Sequence, residues 1–299
     1  MDSTVSGAEG PDLQRPGTIA RLRERSYSGF FLACATVTLL TTLAIFLTLL
    51  SDAVAFFIEY NMIEFLTGLE WSPNPRGDGY IFGIIPLLIG TIVVTVTAAF
   101  VALPIGTLTA IYLSEYATPR ARSILKPLLE ILAGIPTVVY GYFALVYVTP
   151  ALEATLFPGI STFNALSASL MVGIMTIPMV SSISEDAMSA VPDDLRQAGY
   201  GLGATKFEVS TGIVVPASIS GIASSYILAV SRAIGETMIV VVAMGSQANL
   251  PPVSELAGGI PFVNPADVLL EPGMTITVAM VQIAGGDLTG GSIAYDAMF

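Results

Sequence analysis

The run Ala190-Val-Pro-Asp-Asp-Leu-Arg-Gln-Ala-Gly-Tyr-Gly-Leu-Gly-Ala-Thr-Lys-Phe-Glu208 decides how the whole chain is read. It is a polar island between two apolar blocks, and its residues specify their own secondary structure. Pro192 suits a first helical position, where a missing N–H costs nothing. Asp193 and Asp194 then fall in the first turn, where the helix dipole favours carboxylates. Leu195, Ala198 and Leu202 recur at i, i+3 and i+7, on one face. Gly203 can close the helix in the left-handed conformation. Thr205 and Glu208 have the spacing of a capping box, which starts a second helix. A short amphipathic helix of this kind lies on a membrane, serves as a packed connector, or seats its apolar face in a partner's groove. The island has too few basic residues for strong lipid attraction, which leaves the last two uses.

The flanks place this island at a membrane. Of 299 residues, 54% are hydrophobic and 11% charged, about half the charged share of an ordinary soluble domain. The apolar residues come in blocks long enough to cross a bilayer, which takes about 20 residues per helix. Five such blocks are expected: Gly29 to Leu50, Gly83 to Leu113, Pro127 to Val148, Leu166 to Ile183, and Ile213 to Met244. Pro104, Pro136 and Pro178 lie inside them, tolerated where neighbouring helices re-satisfy the freed backbone. Small pairs four apart, Gly106 with Ala110 and Gly221 with Ser225, would let helices approach closely. The expected fold class is all-α, a polytopic transmembrane helix bundle. Residues 1–25 read as a disordered cytoplasmic tail. Residues 26–80 hold the first span and an external loop carrying Asp52, Glu59, Glu64, Glu70 and Asp78. Residues 81–299 form the core.

Basic residues set the orientation. Arg15, Arg21, Arg23 and Arg25 precede the first block, Arg120, Arg122 and Lys126 sit at the second link, and Arg196 and Lys206 sit in the island. A cytoplasmic N-terminus puts these nine inside, out of eleven basic residues in all. Only Arg76 falls outside, and Arg232 lies within the membrane. The net charge of −12 argues against nucleic-acid binding and suits a protein working in concentrated salt. The single cysteine, Cys34, is expected to be a small lipid- or helix-facing side chain.

Several runs resemble one family. Gln197-Ala-Gly, three residues, Gly203, nine residues, then Ile213-Val-Val-Pro216 is similar to the EAA loop of ABC-importer permeases, which reads Glu-Ala-Ala, Gly, Ile and Leu-Pro at the same spacings. Gln197, Gly199 and Val215 depart from it. The run Lys126-Pro-Leu-Leu-Glu-Ile-Leu-Ala-Gly-Ile-Pro-Thr-Val-Val-Tyr-Gly141 resembles the phosphate-permease signature. Ile177 to Met188 and Arg232-Ala-Ile-Gly-Glu-Thr-Met238 resemble the PstC-type subunit more than its PstA-type partner. The resemblance runs from about Phe82 to Phe299.

The resemblance implies a membrane-spanning subunit of an ATP-driven phosphate importer in the cell membrane. Its partners would be a PstA-type permease, two ATP-binding subunits and an external phosphate-binding protein. Residues 190–216 would be the coupling loop, with Asp193, Asp194, Leu195, Arg196, Gln197, Ala198, Leu202 and Gly203 meeting the ATPase. It also implies a sixth span beyond Ser292–Phe299, so five would be visible here. Importers of molybdate or sulfate are the nearest alternative, and an ion-coupled transporter a more distant one.

Charges inside the last block bear on the substrate. Arg232 and Glu236 stand at i, i+4, a spacing that puts both on one helical face, and Gly235 between them could mark a bend. They read either as a structural ion pair or as the substrate path. In the second reading Arg232 offers phosphate its planar fork while Glu236 orients it. Lys126 and Glu130, also at i, i+4, are expected to pair. No Gly-x-x-x-x-Gly-Lys-Ser/Thr loop is present, and there is no histidine for a triad or a zinc motif. No cofactor, no metal and no enzyme activity are expected of this chain itself.

Overall fold

Helix α1 runs Thr18–Glu59 over 42 residues in the computed structural model, which describes residues 18–73, 80–248, 250, 253–256, 260–286 and 293–298. The chain divides into two compact units near Ala55. In the first, α1 is apolar over most of its length, and its threonine hydroxyls turn back onto the helix. Thr36 donates to Leu32 O at 2.8 Å, Thr41 to Val37 O at 2.8 Å and Thr48 to Ala44 O at 2.9 Å. Such back-bonding satisfies a hydroxyl where no water is at hand. Cys34 is exposed on this stretch. The expected disordered tail is corrected over 18–25, which continue the helix; residues 1–17 lie outside those described. Adding a turn of Ala, Leu, Arg and Glu to an existing helix needs no new nucleus.

The second unit begins with an aromatic knot where an open acidic loop was expected. Helix α2 (Met62–Thr67) is capped by Asn61, which accepts from Ile63 N at 2.9 Å. Strands β1 (Trp71–Ser72) and β2 (Ile81–Phe82) pair antiparallel. Phe56 stacks on Tyr60 at 5.4 Å and meets Phe65 and Phe82 edge-on at 5.4 and 5.5 Å. Trp71 meets Phe82 at 5.6 Å. Burying this many rings outweighs the acidic residues between them.

Two helices make the spine. Helix α3 (Ile85–Ile111) continues as a π-helical turn to Tyr116. Helix α4 (Pro119–Ala133) starts at Thr118, whose side chain accepts from Ala121 N. Helix α5 (Thr137–Phe143) runs through a π turn into α6 (Thr149–Thr155), and α7 spans Ala165–Ser189. On α3 the buried residues Gly90, Val94, Ala98, Ala102, Gly106 and Ala110 form an i±4 row. Val172, Thr176, Val180, Ser184 and Met188 form its counterpart on α7. Small residues on the first row let the two backbones close in. A Cβ on Gly106 would stand 2.6 Å from Val180 Cβ. The other small pair, on the later helix that spans Ile219–Ile234, also faces α7: Gly221 abuts Ala187, and Ser225 Oγ bonds Ser184 Oγ at 2.9 Å.

Two expected spans are corrected. The third does not run from Pro127. Gly134 ends α4, Pro136 cannot extend a helix from Ile135, and the apolar span is Thr137–Thr155. The fifth is not one helix. Beyond α8 (Asp193–Gly201), helix α9 (Lys206–Val209) passes through a π turn into α10 (Val215–Ala217). At Ser218 the chain bends by 70° into α11 (Ile219–Ile234). It breaks again at Gly235 before α12 (Met238–Ala243). Among the described residues four helices are long and apolar enough to cross a membrane, or five when the bent pair counts as one.

Strands β3 (Val253–Leu256) and β4 (Ile260–Val263) form a small antiparallel hairpin before α13 (Pro265–Leu270). Helix α14 (Ile276–Gly285), unassigned from sequence, docks through Ile276 N to Thr91 Oγ1 at 3.1 Å. Helix α15 (Ile293–Asp296) follows. The bundle is thus all-α, with the strands confined to two short hairpins among the described residues.

Candidate functional site

Helix α8 forms where the island's local signals put it. Pro192 occupies the N-cap, one position earlier than expected, with Asp193 and Asp194 in the first turn. Gly203 takes a positive φ of 85°. The capping box closes as written: Glu208 accepts from Thr205 N at 2.7 Å, and Thr205 accepts from Glu208 N at 3.3 Å. Gly199 is buried against the next helix, and a Cβ there would meet Ile213 Cδ1 at 2.6 Å.

The exposed surface of α8 mixes apolar and polar residues. Leu195 is exposed, as are Ala198 and Tyr200, and Leu202 is 91% exposed. Gln197, Asp193 and Asp194 are also exposed. Arg196 behaves differently from its neighbours. Its guanidinium turns inward, 15% exposed, onto Glu115, which is 5% exposed. It donates to Glu115 Oε1 at 3.0 and 3.3 Å, to Met188 O at 2.8 Å, to Val191 O at 2.5 Å and to Asp193 Oδ1 at 3.2 Å. One side chain therefore ties α8 to the π turn after α3 and to the C-terminal end of α7. The expectation that Arg196 faces a partner is corrected: its donors are committed inside the bundle.

A second ion-pair group lies beside it. Glu185 on α7 is fully buried and takes Arg122 and Lys126, both from α4. Lys126 Nζ lies 2.8 Å from Glu185 Oε2 and 3.5 Å from Asp186 Oδ1. The hydrogen bond to Glu185 holds the Lys126 ammonium above the ordinary lysine range. The expected Lys126–Glu130 pair does not form, because the buried carboxylate across the helix interface wins the ammonium. Glu115 and Glu185 were missed as site residues in the sequence. Their partners stand 81, 63 and 59 residues away, so no local spacing announces them. The one available signal was two carboxylates, Glu185 and Asp186, closing an otherwise apolar block.

Arg232 is exposed into a cavity of about 350 Å³ within the bundle. Lys126, Glu130, Met175 and Glu185 are on the same cavity's lining. Among the described residues the guanidinium has one hydrogen-bond partner, Met175 Sδ at 3.7 Å, and no carboxylate. Glu236 is elsewhere. Gly235 ends α11, so the i, i+4 relation to Arg232 is broken. The Glu236 carboxylate is buried and accepts from Thr237 N at 3.2 Å and Ile239 N at 3.3 Å at the start of α12. Its backbone oxygen accepts from Thr277 Oγ1 at 2.9 Å. The expected Arg232–Glu236 pair on one helical face is corrected: Glu236 fixes the joint between α11 and α12. The Arg232 guanidinium thus shares this cavity with Lys126, Glu130 and Glu185 and pairs with neither carboxylate.

Residues 102–285 match the family model described as the binding-protein-dependent transport system inner membrane component. The probable ABC transporter permease protein YqgH of Bacillus subtilis is 33% identical over 73% of this chain and 71% of its own length. The phosphate transport system permease protein PstC of Mesorhizobium japonicum is 32% identical over 61% of this chain and 60% of its own length. The phosphate transport system permease protein PstA 1 of Mycobacterium tuberculosis is 34% identical over 58% of this chain and 56% of its own length. The chain belongs to the family of binding-protein-dependent transport system inner membrane components and is a permease component of an ABC importer.

Proposed function

We propose that this chain is the PstC-type permease of an ATP-driven phosphate importer, seated in the cell membrane with its N-terminus inside. The single observation that carries the substrate is Arg232: a guanidinium that faces a cavity in the bundle and is paired with no carboxylate among the described residues, in a chain whose relatives include phosphate permeases. A planar fork of N–H donors matches a tetrahedral oxyanion and stays charged at any physiological pH.

Coupling runs through α8. An ATP-binding subunit grips the exposed face around Leu195, Ala198 and Leu202, and Asp193, Asp194 and Gln197 edge the contact. Arg196 passes the displacement to the end of α3 and to α7. The π turn before Ser218 and the 70° corner give the following helices a joint at which to move. ATP hydrolysis belongs to the two ATP-binding subunits, a PstA-type permease completes the pore, and an external binding protein delivers phosphate. This chain contributes binding, orientation and motion, with no cofactor and no enzyme activity of its own.

The test is labelled-phosphate uptake in vesicles holding the whole complex, with sulfate and molybdate as competitors. Arg232→Gln should abolish uptake while the complex assembles normally. Normal uptake by that variant removes Arg232 from the path, and uptake of sulfate or molybdate in place of phosphate changes the substrate.

A further inference from the structure

We propose that Glu130 is the residue that selects phosphate inside the bundle, accepting a hydrogen bond from a protonated oxygen of the substrate and turning away oxyanions that carry no proton. The proposal deepens the reading of the chain as a phosphate permease and rests on it.

Two cavities meet at Glu130. The one holding Arg232, about 350 Å³, and a second of about 520 Å³ beside Arg122 share three lining residues: Leu113, Lys126 and Glu130. These three therefore stand at the threshold between the cavities. The second cavity also includes Ser114 and Pro119. It lies at the end of the bundle where Glu115 holds Arg196 of α8. An anion released from Arg232 toward the coupling-helix side passes this threshold.

The threshold has one cationic and one anionic group, and the two are in different states. Lys126 has three N–H donors. Glu185 takes one at 2.8 Å, and Asp186 is at 3.5 Å, so the ammonium still has donor capacity. Glu130 lies one helical turn further along α4 and is exposed. Among the described residues its carboxylate has no hydrogen bond and no ion pair.

An ionised carboxylate can only accept. Phosphate keeps at least one O–H near neutral pH, so at the threshold it can offer its bare oxygens to Lys126 and its hydroxyl to Glu130. Sulfate has no O–H there, and its lone pairs would face those of Glu130. A site built to use a substrate's hydrogen bond rejects the analogue that lacks it far more strongly than an apolar site rejects a change of size.

The purified permease–ATPase complex, free of binding protein, is titrated with labelled inorganic phosphate by equilibrium dialysis. Arsenate and sulfate serve as competitors, since arsenate shares phosphate's hydroxyls and sulfate lacks them. In the unaltered complex arsenate should displace the label at concentrations like those of phosphate, and sulfate should need at least about tenfold more. Glu130→Gln, whose amide donates as well as accepts, should bring sulfate to within about threefold of arsenate. Glu130→Asp should keep the preference. Glu130→Ala, read in the same way, stands in if the Gln variant does not assemble. An unchanged sulfate-to-arsenate ratio in these neutral variants, or no ratio in the unaltered complex, overturns the proposal. Arg232→Gln in the same assay separates the two readings. Loss of phosphate binding with an unchanged Glu130 ratio leaves the permease reading standing and removes Glu130. Phosphate binding that survives Arg232→Gln counts against the permease path itself.

Discussion

Arg196 and Arg232 carry the same guanidinium in opposite surroundings. Arg196 is nearly buried and saturated: the carboxylates of Glu115 and Asp193 and two main-chain carbonyls accept its donors. Arg232 is exposed into a cavity with a sulfur for company. The first arrangement spends all its donors on structure, and the second leaves most of them without a protein partner among the described residues. Removing the charge at 196 leaves Glu115, 5% exposed, with no cation, and stripping one partner from a buried pair costs about 3–5 kcal/mol. Arg196→Gln should therefore lower the thermal midpoint of the detergent-solubilised complex and cut uptake at least about tenfold. Adding Glu115→Gln should restore part of the midpoint, because the stranded charge is gone. A double variant no better than Arg196→Gln alone would mean that the ion pair is not what holds α8 to the bundle.

At the scale of elements, α8 and the α3–α7 interface make different demands. Leu202 is 91% exposed, so Leu202→Asp should change stability of the isolated chain by no more than about 0.5 kcal/mol. The same change puts a charge on the face proposed to meet the ATPase, and on that proposal co-purification of the ATP-binding subunit should fall at least about fivefold. Retention of that subunit at the unaltered level would remove Leu202 from the contact. Gly106→Leu is the contrast. Its side chain would run into Val180, and overpacking of this kind costs about 1–3 kcal/mol. Yield of folded protein and midpoint should both drop, with no selective effect on ATPase retention.

The same two elements explain what the sequence could reveal. Helix α8 was legible because its determinants are local: Pro192, the acidic first turn, Gly203, and the Thr205–Glu208 box all act within a few residues. The small-residue rows were partly legible, since Gly106 with Ala110 and Gly221 with Ser225 do pack on α7. Span limits failed where a break was read as tolerable. Gly134 with Pro136 splits the third block, and Gly235 splits the last one. That second break is what undid the Arg232–Glu236 pair, because i, i+4 means one face only inside an unbroken helix. The partners of Glu115 and Glu185 were beyond reach, as long-range contacts leave no periodicity.

For the whole molecule, the question is which end of the bundle faces the cytoplasm. Helix α3 has 27 residues, a rise of about 40 Å at 1.5 Å per residue, enough to separate the two faces of a bilayer core of about 30 Å. At its N-terminal end sits the aromatic knot of Phe56, Trp71 and Phe82. At the other end Glu115 holds α8. Arg120, Arg122 and Lys126 follow this second end in sequence, Arg196 is held to it by Glu115 and Lys206 lies over the Tyr116 ring at 5.0 Å, and basic residues are retained on the cytoplasmic side. The chain's lone cysteine makes the matter testable. On a Cys34→Ser background, Leu202→Cys and Glu64→Cys place one thiol at each end of α3, both at exposed positions. In right-side-out vesicles a membrane-impermeant maleimide should label the Glu64 position and spare the Leu202 position. In inside-out vesicles the pattern should reverse, and excess ATP-binding subunit should protect the Leu202 position alone. Labelling of Leu202→Cys from outside would invert the orientation and detach α8 from any cytoplasmic motor, since a helix on the external face has no ATPase to meet.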